Sequence, residues 1–205
     1  MSPSISDQIS PHSSKLGGWL FRHRTSLPLP IAAAILLIPS GETPAALLTV
    51  LSGVALTAIG EALRLWGVHH IGVISRTRSD RLGPLVDSGP FAYVRNPLYI
   101  GNILLWVGFA VTAGLLWLAP IAFALLAIEY HWIVQWEEVL LLERRGEEYR
   151  SYAARVSRWL PGAYRSSPAS PASPAKSVRS TLFSERGTLL AIAAGYLLLW
   201  LKARF

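Results

Sequence analysis

Residues 98–142 read LYIGNILLWVGFAVTAGLLWLAPIAFALLAIEYHWIVQWEEVLLL, and no charged side chain interrupts them between Leu98 and Ile128. A helix needs roughly 20 apolar residues to cross the ~30 Å hydrocarbon core of a bilayer, so this run is long enough for two crossings. Ala119-Pro120 breaks it near the middle, because proline ends or kinks a helix. The stretch therefore predicts two antiparallel spans, about Leu98–Leu118 and Ile121–Leu142, joined by almost no loop: a tight helical hairpin in a membrane.

The same signal extends in both directions. Upstream, about Ala45–Trp66 forms another apolar span behind a short turn at Gly41–Pro44. Before it, Leu27–Pro39 is apolar and bounded by prolines, with Trp19 and Phe21 beside Arg22, His23 and Arg24. Basic residues ahead of an apolar block also suit a secretory signal. The long head and the spans that follow favour a retained first helix starting near residue 19. Downstream, residues 143–165 are charged and predict one or two short helices. Residues 166–175 are a Ser/Pro/Ala linker, and Thr188–Leu201 is a last apolar block that either spans or lies at the interface. The expectation is an all-α polytopic membrane bundle of about five transmembrane helices. It divides into a disordered head (1–17), a membrane core (18–165), a linker (166–186) and a C-terminal apolar helix (187–205).

Composition agrees. Of 205 residues, 52% are apolar and 15% charged, against about 25% charged in soluble domains. The absence of cysteine excludes disulfides and thiol nucleophiles, and five scattered histidines do not suggest a metal site. A net charge of +7 raises the question of nucleic acid, but the arginines sort by loop. Arg22 and Arg24 precede the first span, Arg76, Arg78, Arg81 and Arg95 lie between the second and third, and most others follow the fourth; the turns at 40–44 and 119–120 hold none. Such asymmetry marks the cytoplasmic side. The excess charge is then for anionic lipid headgroups rather than nucleic acid. Lys202 and Arg204 fit this rule poorly if the last block crosses. The expected location is a bacterial cytoplasmic membrane, with the N-terminus inside.

Two polar segments fall on that side. In the first, Ser88-Gly89-Pro90 and Arg95-Asn96-Pro97 shape a loop that opens onto a helix. Pro97 suits the first helical position and Asn96 the cap before it. On physical grounds this is equally a capped helix anchored by Arg95 and Tyr99. The second is Gln135-Trp136-Glu137-Glu138 near a helix C-terminus, where the dipole favours cations. The two acids therefore call for a cationic partner, with Arg95, Arg144 and Arg145 the candidates, or for a polar ligand. The hairpin brings both segments to one membrane face. His131, Gln135 and Glu138 share one side of the fourth span, either as an interhelical network or as a base. Glu61 and Arg64 read as an internal ion pair, and His69 and His70 as residues of a loop start.

Ser88-Gly89-Pro90-Phe91…Arg95-Asn96-Pro97-Leu98-Tyr99-Ile100-Gly101, followed by Glu137-Glu138…Gly146-Glu147-Glu148-Tyr149…Tyr152…Arg155-Val156…Leu160-Pro161, resembles the integral membrane methyltransferases. These are the isoprenylcysteine carboxyl methyltransferases and the phospholipid methyltransferases similar to them. The resemblance covers about residues 80–161. It implies S-adenosylmethionine as methyl donor, without a metal, held at the cytoplasmic face by Leu85, Val86, Phe91, Asn96, Pro97, Tyr99 and Glu137, with Arg95 and Glu138 in support. It names no catalytic residue. The isoprenylcysteine enzymes read Arg-His-Pro at 95–97 and an aromatic Tyr at Phe91. They also carry a substrate-binding Arg one turn before the cofactor Glu, where this chain has Ile133. The implied acceptor is a lipophilic small molecule entering from the membrane lipids, with carboxylate O-methylation favoured. A phospholipid amine N-methyltransferase and a non-catalytic scaffold or sensor of the same fold are the alternatives, and no protein partner can be inferred.

Overall fold

The computed structural model describes residues 11–39, 47–71, 85–162 and 177–204, the side chains of 11–14 excepted. Within them lie α1 (Pro11–His23), α2 (Leu29–Leu37), α3 (Leu47–Ile71), α4 (Pro97–Thr112), α5 (Leu118–Arg145), α6 (Glu147–Arg155) and α7 (Val178–Lys202). No strand occurs among the described residues; Val94 and Ser157 pair in a single parallel rung. The expected all-α bundle is what forms. By length and composition α3, α5 and α7 are long and apolar enough to cross a membrane, and α4 is a shorter apolar helix. Their outward surfaces carry exposed Leu48, Ile59, Trp66, Ile128, Leu190, Leu197 and Trp200, a pattern suited to lipid rather than water. The turn at 40–44, Arg76, Arg78, Arg81 and the linker at 166–175 lie outside the described residues.

The centre of the bundle is α3 against α4, running antiparallel. Gly53, Gly60 and Gly67 recur every seven residues on α3 and meet Gly108, Gly101 and Leu98 of α4. A methyl group added at Gly60 would lie 2.7 Å from the Gly101 carbonyl oxygen, so the two backbones touch. Lipid supplies no hydrophobic drive between helices, and small residues permit the close approach that replaces it.

The hairpin is real, but its turn lies at 113–117 rather than at Ala119-Pro120. Gly114, at φ +74°, closes α4 in the left-handed conformation, and Leu115 N–H reaches back to the Ala110 carbonyl at 3.0 Å, a Schellman-type stop. Pro120 falls inside the first turn of α5, where its missing N–H would have had no helical partner anyway.

The first helix is two helices. Pro28 and Pro30 deny the backbone the donors an uninterrupted helix needs, and a turn at 24–28 separates α1 from α2. Helix α1 also starts at Pro11, within the stretch expected to be disordered. Gly17 and Gly18 let it lie flat on Trp132 and Trp136 of α5, and that docking gives it order.

The last helix is longer than its apolar block implied. Helix α7 begins at Val178, with the Ser177 hydroxyl capping the Ser180 N–H at 3.2 Å. Its polar first half is not loop because it binds α3. His69 meets Thr181 at 3.2 Å, Arg64 meets Glu185 at 2.6 Å, and the Tyr196 hydroxyl donates to Thr57 at 2.8 Å. His69 and His70 close the last turn of α3 instead of opening a loop. At the other end Lys202 donates to the Ile35 carbonyl at 2.7 Å. It thereby caps the C-terminus of α2, which explains a cation that the charge rule did not want there.

Candidate active site

The loop before α4 is held by its neighbours rather than by its own sequence. Gly89 (φ +60°) passes so near the His70 ring that a Cβ would lie 2.5 Å from it, so Ser88–Ala92 rests on the end of α3. Tyr152 of α6 donates to the Phe91 carbonyl at 2.9 Å, and Leu85 packs on Tyr149, Tyr152 and Val156. Burial pushes the Tyr149 and Tyr152 phenols well above their usual range, so both are neutral; Tyr149 accepts from Arg95 Nη1 at 3.4 Å. Arg95 N–H bonds to the Ser157 carbonyl at 2.9 Å and Gly162 N–H to the Tyr93 carbonyl at 2.9 Å. These bonds tie the loop to the segment after α6.

Asn96 stands at the cap position of α4 but does not cap with its side chain. Its amide donates to the Arg158 carbonyl at 3.1 Å instead. Pro97 is buried as the first helical residue. One turn inside, the Tyr99 hydroxyl donates to Glu137 Oε1 at 2.9 Å, and its ring stacks on Tyr130 at 4.6 Å.

The two acids differ sharply. Glu138 is buried and gripped by Arg158, whose Nε and Nη2 reach its two oxygens at 3.0 and 2.6 Å. Arg95 adds a third contact at 3.2 Å. With bidentate and further charged donors its lone pairs are committed. Of the expected partners Arg95 is present, and Arg158 does most of the work. Glu137 faces a neutral phenol. Arg24, from the turn after α1, lies near enough for its charge to act on Glu137 and Tyr99. Its guanidinium sits 3.9 Å over Phe21, and that ring packs 4.8 Å from Trp136.

Of the residues expected from sequence, the structure thus brings Arg95, Asn96, Tyr99, Glu137 and Glu138 to one corner between α4, α5 and the chain after α6. Leu85 and Phe91 pack into its walls, Phe91 against the Gly67 turn of α3. Val86 is half-buried beside them. His131 and Gln135 bond to each other at 2.7 Å, while Glu138, the third residue of that expected face, turns to the arginines. Sequence reasoning missed Arg158 and Arg24. Arg24 comes from a segment with no motif, and Arg158 lies between the Arg155-Val156 and Leu160-Pro161 pairs without belonging to either; only the fold brings them in.

The corner fits an amino-acid-bearing nucleoside by its donor set. Glu137 offers a carboxylate to hydroxyls or an ammonium group. Arg95 Nε is buried without a hydrogen-bond partner among the described residues and can donate to a carboxylate. No cluster of His, Asp or Glu able to hold a metal occurs among the described residues.

The sequence model of the phospholipid methyltransferase family matches residues 48–147, which contain α3, α4, α5 and most of this corner. The nickel-cobalt-cadmium resistance protein NccN of Alcaligenes xylosoxydans xylosoxydans is 30% identical over 157 residues, covering 72% of this chain and 69% of that protein. No solved structure matches. A membrane helix bundle with this sequence match and coverage belongs to the phospholipid methyltransferase family.

Proposed function

We propose that this membrane methyltransferase moves a methyl group from S-adenosylmethionine to a lipophilic acceptor that reaches the site from the bilayer, at the cytoplasmic face. The observation that carries the reading is the division of labour between adjacent acids. Glu138 is spent on Arg95 and Arg158, which fixes the loop and the start of α4, while Glu137 with Tyr99 is left to meet a ligand. When bound, S-adenosylmethionine supplies an electrophilic methyl on a sulfonium. The chain's contribution is to align and to exclude water, the needs of an in-line displacement. Leu85, Val86, Phe91 and Pro97 form the apolar side, Arg95 and Asn96 the polar edge, and Glu137 accepts from the donor's hydroxyl or amino hydrogens.

A carboxylate acceptor needs no base, and Glu138 is in no position to act as one, which favours O-methylation. The specific support for an amine acceptor is the family description together with the His131–Gln135 pair. There the amine must lose a proton, and His131 is the residue to take it. Incubation with a methyl-labelled donor and membrane lipid separates the two: a methyl ester is released by mild base, an N-methyl group is not.

The site itself is tested by calorimetric titration of S-adenosylmethionine into purified Glu137→Gln and Glu138→Gln. Loss of a charge-assisted bond in a half-dry pocket weakens binding about ten- to hundredfold for Glu137→Gln. Unchanged affinity in a folded Glu137→Gln protein refutes the assignment. The orientation is tested in this cysteine-free chain by Ser79→Cys, which should label only from the cytoplasmic side.

A further inference from the structure

A line of contacts leaves Glu137 on the side away from the loop and does not stop inside the family-matched segment. Tyr99, bonded to Glu137, stacks on Tyr130 with the rings 27° apart. The Tyr130 hydroxyl accepts from Asn102 Nδ2 at 3.3 Å. Asn102 Oδ1 accepts from Arg64 Nη1. Arg64 Nη2 donates to Glu185 at 2.6 Å and to Thr188 at 3.1 Å, both on α7, while its Nε faces Glu61 at 3.5 Å.

The direction of each link follows from chemistry. A guanidinium has only donors. Asn102 must therefore present its oxygen to Arg64, and its NH₂ is left for Tyr130. The amide has one usable orientation only while Arg64 stays where it is. Two carboxylates from different helices hold the guanidinium there. Without Glu185, Arg64 relaxes toward Glu61 on its own helix, Nη1 leaves Asn102, and the amide loses its reason not to turn. In an interior of low dielectric linked hydrogen bonds of this kind favour one arrangement, although Arg64 Nε, within ion-pair reach of Glu61, makes no hydrogen bond itself.

We infer that α7 is part of the site: Glu185, acting through Arg64, Asn102 and Tyr130, is a positioning residue for the Tyr99–Glu137 pair. Its meaning for cofactor binding rests on the reading of Glu137 given above. The family match ends at residue 147, so it assigns α7 no such part. A polar link inside a membrane often does no more than hold helices together. The positioning role differs in one respect: its effect must pass through Tyr99.

The experiment compares Glu185→Leu and Glu185→Gln, each with Tyr99 present and in a Tyr99→Phe background, using the full chain in nanodiscs. One readout is calorimetric affinity for S-adenosylmethionine. The other, on cofactor-free protein, is the rate at which dicyclohexylcarbodiimide labels Glu137, followed by mass spectrometry. Glu185→Leu is expected to weaken affinity about three- to tenfold and to change the labelling rate. Glu185→Gln, which still accepts from Arg64, restores both toward wild type. With Phe at position 99 the effects of Glu185→Leu vanish, although its loss of thermal stability persists. Equal effects in both backgrounds, or a labelling rate indifferent to Glu185, overturn the inference. If Glu185→Leu does not fold, Asn102→Leu carries the same contrast from the middle of the chain. Wild type that binds no S-adenosylmethionine yet shows the labelling pattern refutes the proposed cofactor and leaves the positioning intact. Normal binding without the labelling pattern does the reverse.

Discussion

Helix α3 holds two neighbours by opposite means. Toward α4 it offers Gly53, Gly60 and Gly67; the contact is backbone on backbone at Gly53 and Gly60, and the Leu98 side chain fills the space at Gly67. Toward α7 it offers Thr57, Arg64 and His69, and the contact is hydrogen bonds and an ion pair. One seam works mainly by the absence of side chains, with the Arg64–Asn102 bond as its polar rung, the other by side-chain polarity. Both answer the same difficulty, since apolar side chains gain nothing by leaving lipid for each other. The difference teaches where sensitivity lies. The glycine seam is sensitive to volume, and the polar seam to the loss of a charge partner.

The largest expected effect tests the polar seam. Arg64→Leu leaves the buried carboxyls of Glu61 and Glu185 without their shared guanidinium, and breaking such a pair destabilises by about 3–5 kcal/mol. Thermal unfolding in detergent should show a large drop, and Arg64→Leu combined with Glu185→Leu should recover part of it. Failure of the second change to recover anything would mean that the charge is not what binds α7.

The glycine seam comes next. Gly60→Leu forces a side chain into the Gly101 backbone, and overpacking costs about 1–3 kcal/mol. The same change at Gly146, where an added Cβ meets nothing within 4 Å, serves as the contrast for space, although its positive φ (+50°) adds backbone strain of its own. A Gly60→Leu protein with wild-type stability would show that the seam is looser than its geometry.

The smallest effect sharpens the comparison. Tyr196→Phe removes one neutral bond to Thr57, and neutral bonds between membrane helices average about 0.6 kcal/mol. Its unfolding midpoint should fall only slightly. A drop comparable to that of Arg64→Leu would erase the distinction between charged and neutral rungs.

The helices were legible because apolar length is a one-dimensional signal. What needed the fold was pairing. The seven-residue spacing of Gly53, Gly60 and Gly67 stands in the sequence, but nothing there says which helix faces it. Pro120 marked a break correctly and its position wrongly, since a proline is accepted in the first turn of a helix as readily as in the turn before it. Glu185 and Arg186 made the start of α7 look like linker, because the partner that makes Glu185 tolerable in a helix lies 121 residues earlier. At the site, Asn96, Tyr99 and Glu137 were reached through motif spacing. Arg158 was not, since it falls between the motif pairs Arg155-Val156 and Leu160-Pro161 and its own only cue is charge. The expected Asn96 cap failed for a related reason: the Arg158 carbonyl competes for its side chain.

The glycine seam also bears on how the bundle can move. Side chains give a helix contact its play, because each can change rotamer and let the helices slide by small steps. Where α3 meets α4 at Gly60 and Gly101 there is no rotamer to change. The pair therefore shifts as one stiff double rod or not at all. Any breathing that admits a bulky, oily molecule has to occur elsewhere, along contacts padded by side chains such as Tyr99, Trp106 and Tyr130. The rod is the fixed wall, and the moving parts are the helices that lean on it.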